Sequence, residues 1–120
     1  MMFPILKSES KGEEMKEKIQ KIADHYGLQH QLAKSVEELI ELVQAIQEYS
    51  FKLGMRDDEI STEHVAEEIA DVTIMLDQLQ YLLECEETVN LYRETKVNRQ
   101  IGRIAEENQY RDWEIGRAHV

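Results

Sequence analysis

The chain has 120 residues, 42% of them hydrophobic, which fits one compact domain with a modest core. Its 25 acidic against 14 basic residues give a formal charge of -11, which repels a bare phosphate backbone and argues against nucleic acid as a partner. Cys85 stands alone, which excludes an intramolecular disulfide and a thiolate metal site and fits a reducing, cytoplasmic setting, and no apolar run is long enough to suggest a membrane partner.

Pro4 is the only proline and the five glycines are widely spaced, so long helices are expected. Met15, Ile19, Ile22 and Tyr26 recur at helical spacing, which predicts a first helix over residues 12–26 with Gly27 as its stop. Leu32, Val36, Leu39, Val43 and Ile46 alternate steps of four and three. They predict a second helix over 29–53, ended by Gly54, with that stripe against its neighbour.

The polar stretch 54–62 reads as a loop in which Ser61 or Thr62 caps the next helix. A third helix over 63–83 carries Val65, Ile69, Val72, Leu76, Leu79 and Leu83, and a fourth from about Thr88 carries Val89, Tyr92, Val97, Ile101 and Ile104. No stretch alternates at period two. The expected fold is all-α, an antiparallel bundle of about four helices in one domain over 1–113. Residues 114–120 fit no stripe and read as a ragged or non-native tail.

Two acid pairs stand out against these stripes. Positions three apart share one side of a helix, so Glu38 and Glu41 project together, as do Glu68 and Asp71, and each pair borders apolar residues. One such pair is most often a solvated face. Two pairs on adjacent antiparallel helices can converge across a cleft, where like charges destabilise the fold unless a cation neutralises them. Oxygen-only ligation suits Mg2+, with Mn2+ as the alternative. A di-iron carboxylate bundle is not indicated, because no histidine follows a glutamate by three residues.

"EELIEL" at 37–42 followed by "EEIADV" at 67–72 resembles the E-x-x-E and E-x-x-D signature of the MazG-like, all-α nucleoside triphosphate pyrophosphohydrolases. The likeness extends to "IADHYGLQHQLAKSVEEL" upstream and "YRETKVNRQIGRI" downstream, and so covers about residues 22–104. It implies a MazG-like helical fold completed by assembly into a homodimer or tetramer. It also implies magnesium-dependent cleavage of an NTP or dNTP between the α and β phosphates, giving monophosphate and pyrophosphate in nucleotide-pool sanitation or control. Glu38, Glu41, Glu68 and Asp71 match the family's metal ligands, with Glu38 or Glu41 also orienting or deprotonating the attacking water. Lys96, Asn98 and Arg99 fall where the family's last helix reaches the phosphates.

Lys34 lies one turn before Glu38 and is a candidate phosphate contact, with an i to i+4 salt bridge as the alternative. Tyr26, His30 and Gln31 are candidates for a base pocket or for ordinary packing. No catalytic triad, P-loop or dinucleotide fingerprint is present. The competing function is a non-catalytic helical dimerisation or regulatory module, whose acids would serve solubility alone.

Overall fold

A computed structural model describes residues 4–118, with side chains from residue 10 to residue 117. Among the described residues it contains three helices and no strand: α1 Pro4–Gly54, α2 Glu63–Leu82 and α3 Glu86–Ala118. The all-α expectation is met. By compactness the chain forms two units, Met1–Glu84 with α1 and α2, and Cys85–Val120 with α3, so the stretch expected as one domain divides after Glu84.

The predicted break at Gly27 lies inside α1. Gly27 has φ 82 and ψ 165, a conformation essentially restricted to glycine, and helical geometry resumes on either side of it. The two helical runs predicted on either side of Gly27 are thus present, and α1 consists of both, meeting at this non-helical residue. Gly54 behaves differently from its expected role, because α1 includes it and the left-handed residue is Arg56, with φ 56. The Arg56 N–H bonds the Leu53 carbonyl and the Asp57 N–H bonds the Lys52 carbonyl, which satisfies two acceptors that the helix end leaves open.

Ser61 Oγ accepts from the Glu63 N–H at 3.2 Å, while the Thr62 side chain makes no capping bond. At the other end of α2 the chain turns through Glu84, at φ 51, whose N–H bonds the Tyr81 carbonyl. α3 starts at Glu86 and continues to Ala118, so residues 114–118 of the expected ragged tail are helical. Trp113 lies 6.2 Å from the Tyr110 ring and 5.2 Å from the Arg117 guanidinium, contacts that the helical spacing brings together. Residues 119 and 120 lie outside the described residues.

α1 and α2 pack as an antiparallel hairpin, but through a different face of α1 from the predicted stripe. Leu32, Val36, Leu39, Val43 and Ile46 are all between 42% and 56% exposed. The face turned to α2 is the set one residue back: Gln31, Ser35, Glu38, Leu42, Ala45 and Tyr49, all buried or half-buried. Small residues explain the choice, since Ala23, Ser35 and Ala45 let the backbones approach closely where Leu or Val would hold them apart.

On α2 the packed face overlaps the expected one in part, with Val65 and Leu79 half-buried. Val72 and Met75 are buried, with Glu68 and Gln78 beside them, while Ile69, Leu76 and Leu83 of the expected stripe are exposed. The hairpin core is therefore narrow and unusually polar. Gln31 Nε2 donates to Gln78 Oε1 at 2.7 Å, Ser35 Oγ donates to the Gln31 carbonyl at 2.6 Å, and the Tyr81 hydroxyl donates to Asp24 at 2.9 Å.

Candidate metal centre

Because α1 meets α2 through the 31/35/38/42/45 face, Glu38 points between the helices. Glu68 approaches from α2 and is 8% exposed, and Glu41, one turn beyond Glu38, is exposed. One carboxylate oxygen from each of Glu38, Glu41 and Glu68 lies within 4.8 Å of the others. Antiparallel packing thus joins an i, i+3 pair on one helix to a buried acid on the next. Asp71 is half-buried one turn further along α2 and is not among these three.

The electrostatics of this arrangement are unbalanced. Glu38 Oε2 and Glu68 Oε2 are both buried without a hydrogen-bond partner. The Lys34 ammonium lies 3.4 Å from Glu38 Oε1, and the His64 ring nitrogen Nδ1 lies 4.0 Å from Glu68 Oε1, beyond hydrogen-bond reach. Burial of anionic oxygens without donors costs several kcal/mol per ion in general terms, roughly as for any unpaired buried charge. A hard dication offers what the neighbouring side chains do not, because it can be shared by several carboxylate oxygens at once. The donor set therefore fits Mg2+ or Mn2+ through Glu38, Glu41 and Glu68.

Lys34 makes the predicted salt bridge to Glu38 and a second contact, also 3.4 Å, to Glu37. Its hydrogen bond to Glu37, then that to Glu38, holds the ammonium above the ordinary lysine range, so it stays cationic next to the acids. Glu37 and Glu67, which precede the two acid pairs, are both exposed.

Of the candidate base-pocket residues, Gln31 is buried and engaged by Gln78, and its Oε1 lies 2.7 Å from His30 Nδ1. The exposed Tyr26 ring stacks on His30 with centroids 4.9 Å apart. Gln31 is thus part of the packing, and Tyr26 with His30 presents an aromatic ledge at the surface.

Lys96, Asn98 and Arg99 are exposed on α3, in the second unit. His64 was not among the site residues expected from the sequence. Its spacing of four from Glu68 on a predicted helix was the available signal.

Searches against family models, curated proteins and solved structures return no match to this chain. No helix among the described residues is long and apolar enough to cross a membrane.

Proposed function

We propose that the protein is a magnesium-dependent nucleoside triphosphate pyrophosphohydrolase that converts an NTP or dNTP to the monophosphate and pyrophosphate. The observation that carries this reading is the approach of Glu38, Glu41 and Glu68 to within 4.8 Å, with two of their oxygens buried and unpartnered. The MazG-like signature in the sequence supplies the reaction class, and Asp71 completes its ligand set by that resemblance.

A divalent ion bound there would neutralise the triphosphate charge and make water a better nucleophile. Glu38 and Glu68, held between the helices, would anchor such an ion. Glu41 is exposed and so is the carboxylate able to orient an incoming water or take its proton. Lys34 stands beside Glu38 as a cation, and in this reading it would meet phosphate oxygens as they arrive. By resemblance, Lys96, Asn98 and Arg99 of α3 steady the departing pyrophosphate, and the active form is a homodimer or tetramer in the cytoplasm.

The exposed apolar stripe of α1 favours a second reading, a helical dimerisation or regulatory module without catalysis. One experiment separates the two. Purified protein is screened for pyrophosphate release from canonical and modified NTPs, with magnesium and with EDTA. The enzyme reading expects magnesium-dependent pyrophosphate from at least one substrate and its loss in Glu41→Gln with helicity unchanged. Orthophosphate as the first product would overturn the α/β cleavage, and no release from any triphosphate would favour the module.

A further inference from the structure

We propose that His64 is a nitrogen ligand of this same centre, and that it biases the site towards a transition dication over magnesium. The inference rests on the carboxylate reading above and goes beyond its oxygen-only donor set.

His64 and Glu68 are one turn apart on α2, with Nδ1 4.0 Å from Glu68 Oε1. A pair of ligating side chains at i and i+4 on one helix face is a natural chelate, as in the paired histidines of helical zinc sites. The His64 side chain is 60% exposed, so turning the ring towards the acids strips little water from it. No hydrogen bond among the described residues fixes it elsewhere.

On the far side of the contact, Glu68 is buried and its Oε2 has no partner. His64 stands outside the 4.8 Å grouping of Glu38, Glu41 and Glu68, and rotation of the imidazole is the movement that would bring its nitrogen to the centre through Glu68. The donor set then becomes three carboxylates from two helices and one imidazole from α2.

That addition changes metal preference. Magnesium holds oxygen ligands and gains little from imidazole, whereas borderline transition ions take nitrogen and oxygen together. With Glu38, Glu41 and Glu68 alone, discrimination would follow the intrinsic order of the ions. With His64 bound, affinity for the nitrogen-accepting ion rises and that for magnesium does not.

The test uses the full chain and two probe ions, Co2+ and Mg2+, by calorimetry, with proton NMR of the cobalt form. The expected result is tighter binding of Co2+ than of Mg2+, and a paramagnetically shifted, solvent-exchangeable imidazole N–H resonance. In His64→Ala the resonance should vanish and the Co2+ affinity fall by about tenfold or more, the scale at which changes around a metal site are usually felt, with the Mg2+ affinity unchanged. A shifted imidazole resonance that persists in His64→Ala, or an unchanged Co2+ affinity, overturns the nitrogen ligand and leaves the carboxylate centre standing. Failure of both ions to bind wild-type protein overturns the centre and this inference together.

Discussion

Gln31 Nε2 donates to Gln78 Oε1 across 2.7 Å, and both side chains are almost wholly buried between α1 and α2. Gln31 lies about two turns before Glu38, and Gln78 about three turns after Glu68, so the bond fixes the antiparallel register on which the acid cluster depends. An apolar contact at this level would tolerate sliding. A paired amide does not, because a shift of the helices leaves donor and acceptor unpaired in the core.

Truncating one partner should therefore cost more than replacing both. Gln31→Leu leaves Gln78 Oε1 without its donor, and the expected loss is about 1–3 kcal/mol, the penalty of an unsatisfied buried group. Gln31→Leu combined with Gln78→Leu should recover much of that loss, since two apolar groups need no partner. Urea unfolding of the parent, both single variants and the double gives the coupling directly. Additive losses would mean that the bond contributes nothing beyond the two side chains.

The all-α fold and most helix boundaries were legible because apolar spacing and the placing of glycine report local structure. Gly27 is the clearest case: a glycine between two helical runs was a marker, and the backbone there is one that other residues rarely adopt. The packed face was not legible. Hydrophobicity favoured Leu32, Val36 and Leu39, whereas close approach favours the smaller Ser35 and Ala45, and only pairing with α2 decides between neighbouring faces of one helix. Glu38 and Glu41 could be paired from spacing alone. The second acid pair and the MazG-like resemblance also pointed to Glu68, whereas the position of Asp71 outside the three depends on the register between helices, which a single sequence does not specify.

A second prediction isolates the conformation of Gly27. A Cβ built there meets nothing within 4 Å, so replacement meets no steric obstacle from neighbouring groups. The penalty comes from the backbone, because φ 82 with ψ 165 strains any L-residue by about 1–3 kcal/mol. Gly27→Ala should lower thermal stability by that amount, while a D-alanine introduced by chemical ligation should be tolerated. Calorimetric melting of the two variants checks this; equal destabilisation by both isomers would point to a packing effect instead.

The uncovered α1 stripe leads to a third. Val36, Leu39, Ile40 and Val43, with Gln44 and Gln47, line an open apolar depression on the face away from α2. A surface of this kind on a chain with a formal charge of -11 is a place for association. The protein should sediment as a dimer or larger species at micromolar concentration. Val36→Glu combined with Val43→Glu should shift it towards monomer without loss of helicity. A wild-type monomer at that concentration would rule out the proposed assembly.

The fourth prediction uses the linkage between ion binding and folding. An ion that binds the folded chain alone stabilises it by RT ln(1 + [L]/Kd), which is about 1.4 kcal/mol at roughly ten times Kd. For a chain near this size that corresponds to a rise of about 4 to 8 °C in melting temperature. Calcium should also stabilise, since it accepts carboxylate oxygens, whether or not it supports turnover.

Without metal, Glu38 Oε2 and Glu68 Oε2 are buried acceptors with no donor, and the three carboxylates repel one another. Glu38→Gln combined with Glu68→Gln keeps the shape, removes two charges and supplies amide donors. In metal-free buffer that variant should melt higher than the parent, and its response to magnesium should disappear. Asp71→Asn measures the part of the fourth acid: loss of the magnesium response would bring Asp71 into the ligand set, and an unchanged response would leave three carboxylates to hold the ion. Lys34→Met serves as the opposite control, because it removes the cation beside Glu38 and should deepen the repulsion in the metal-free state while leaving the ion's ligands in place. A double glutamine variant that still gains several degrees from magnesium would place the ion elsewhere on this acidic surface and remove the structural basis for the proposed chemistry.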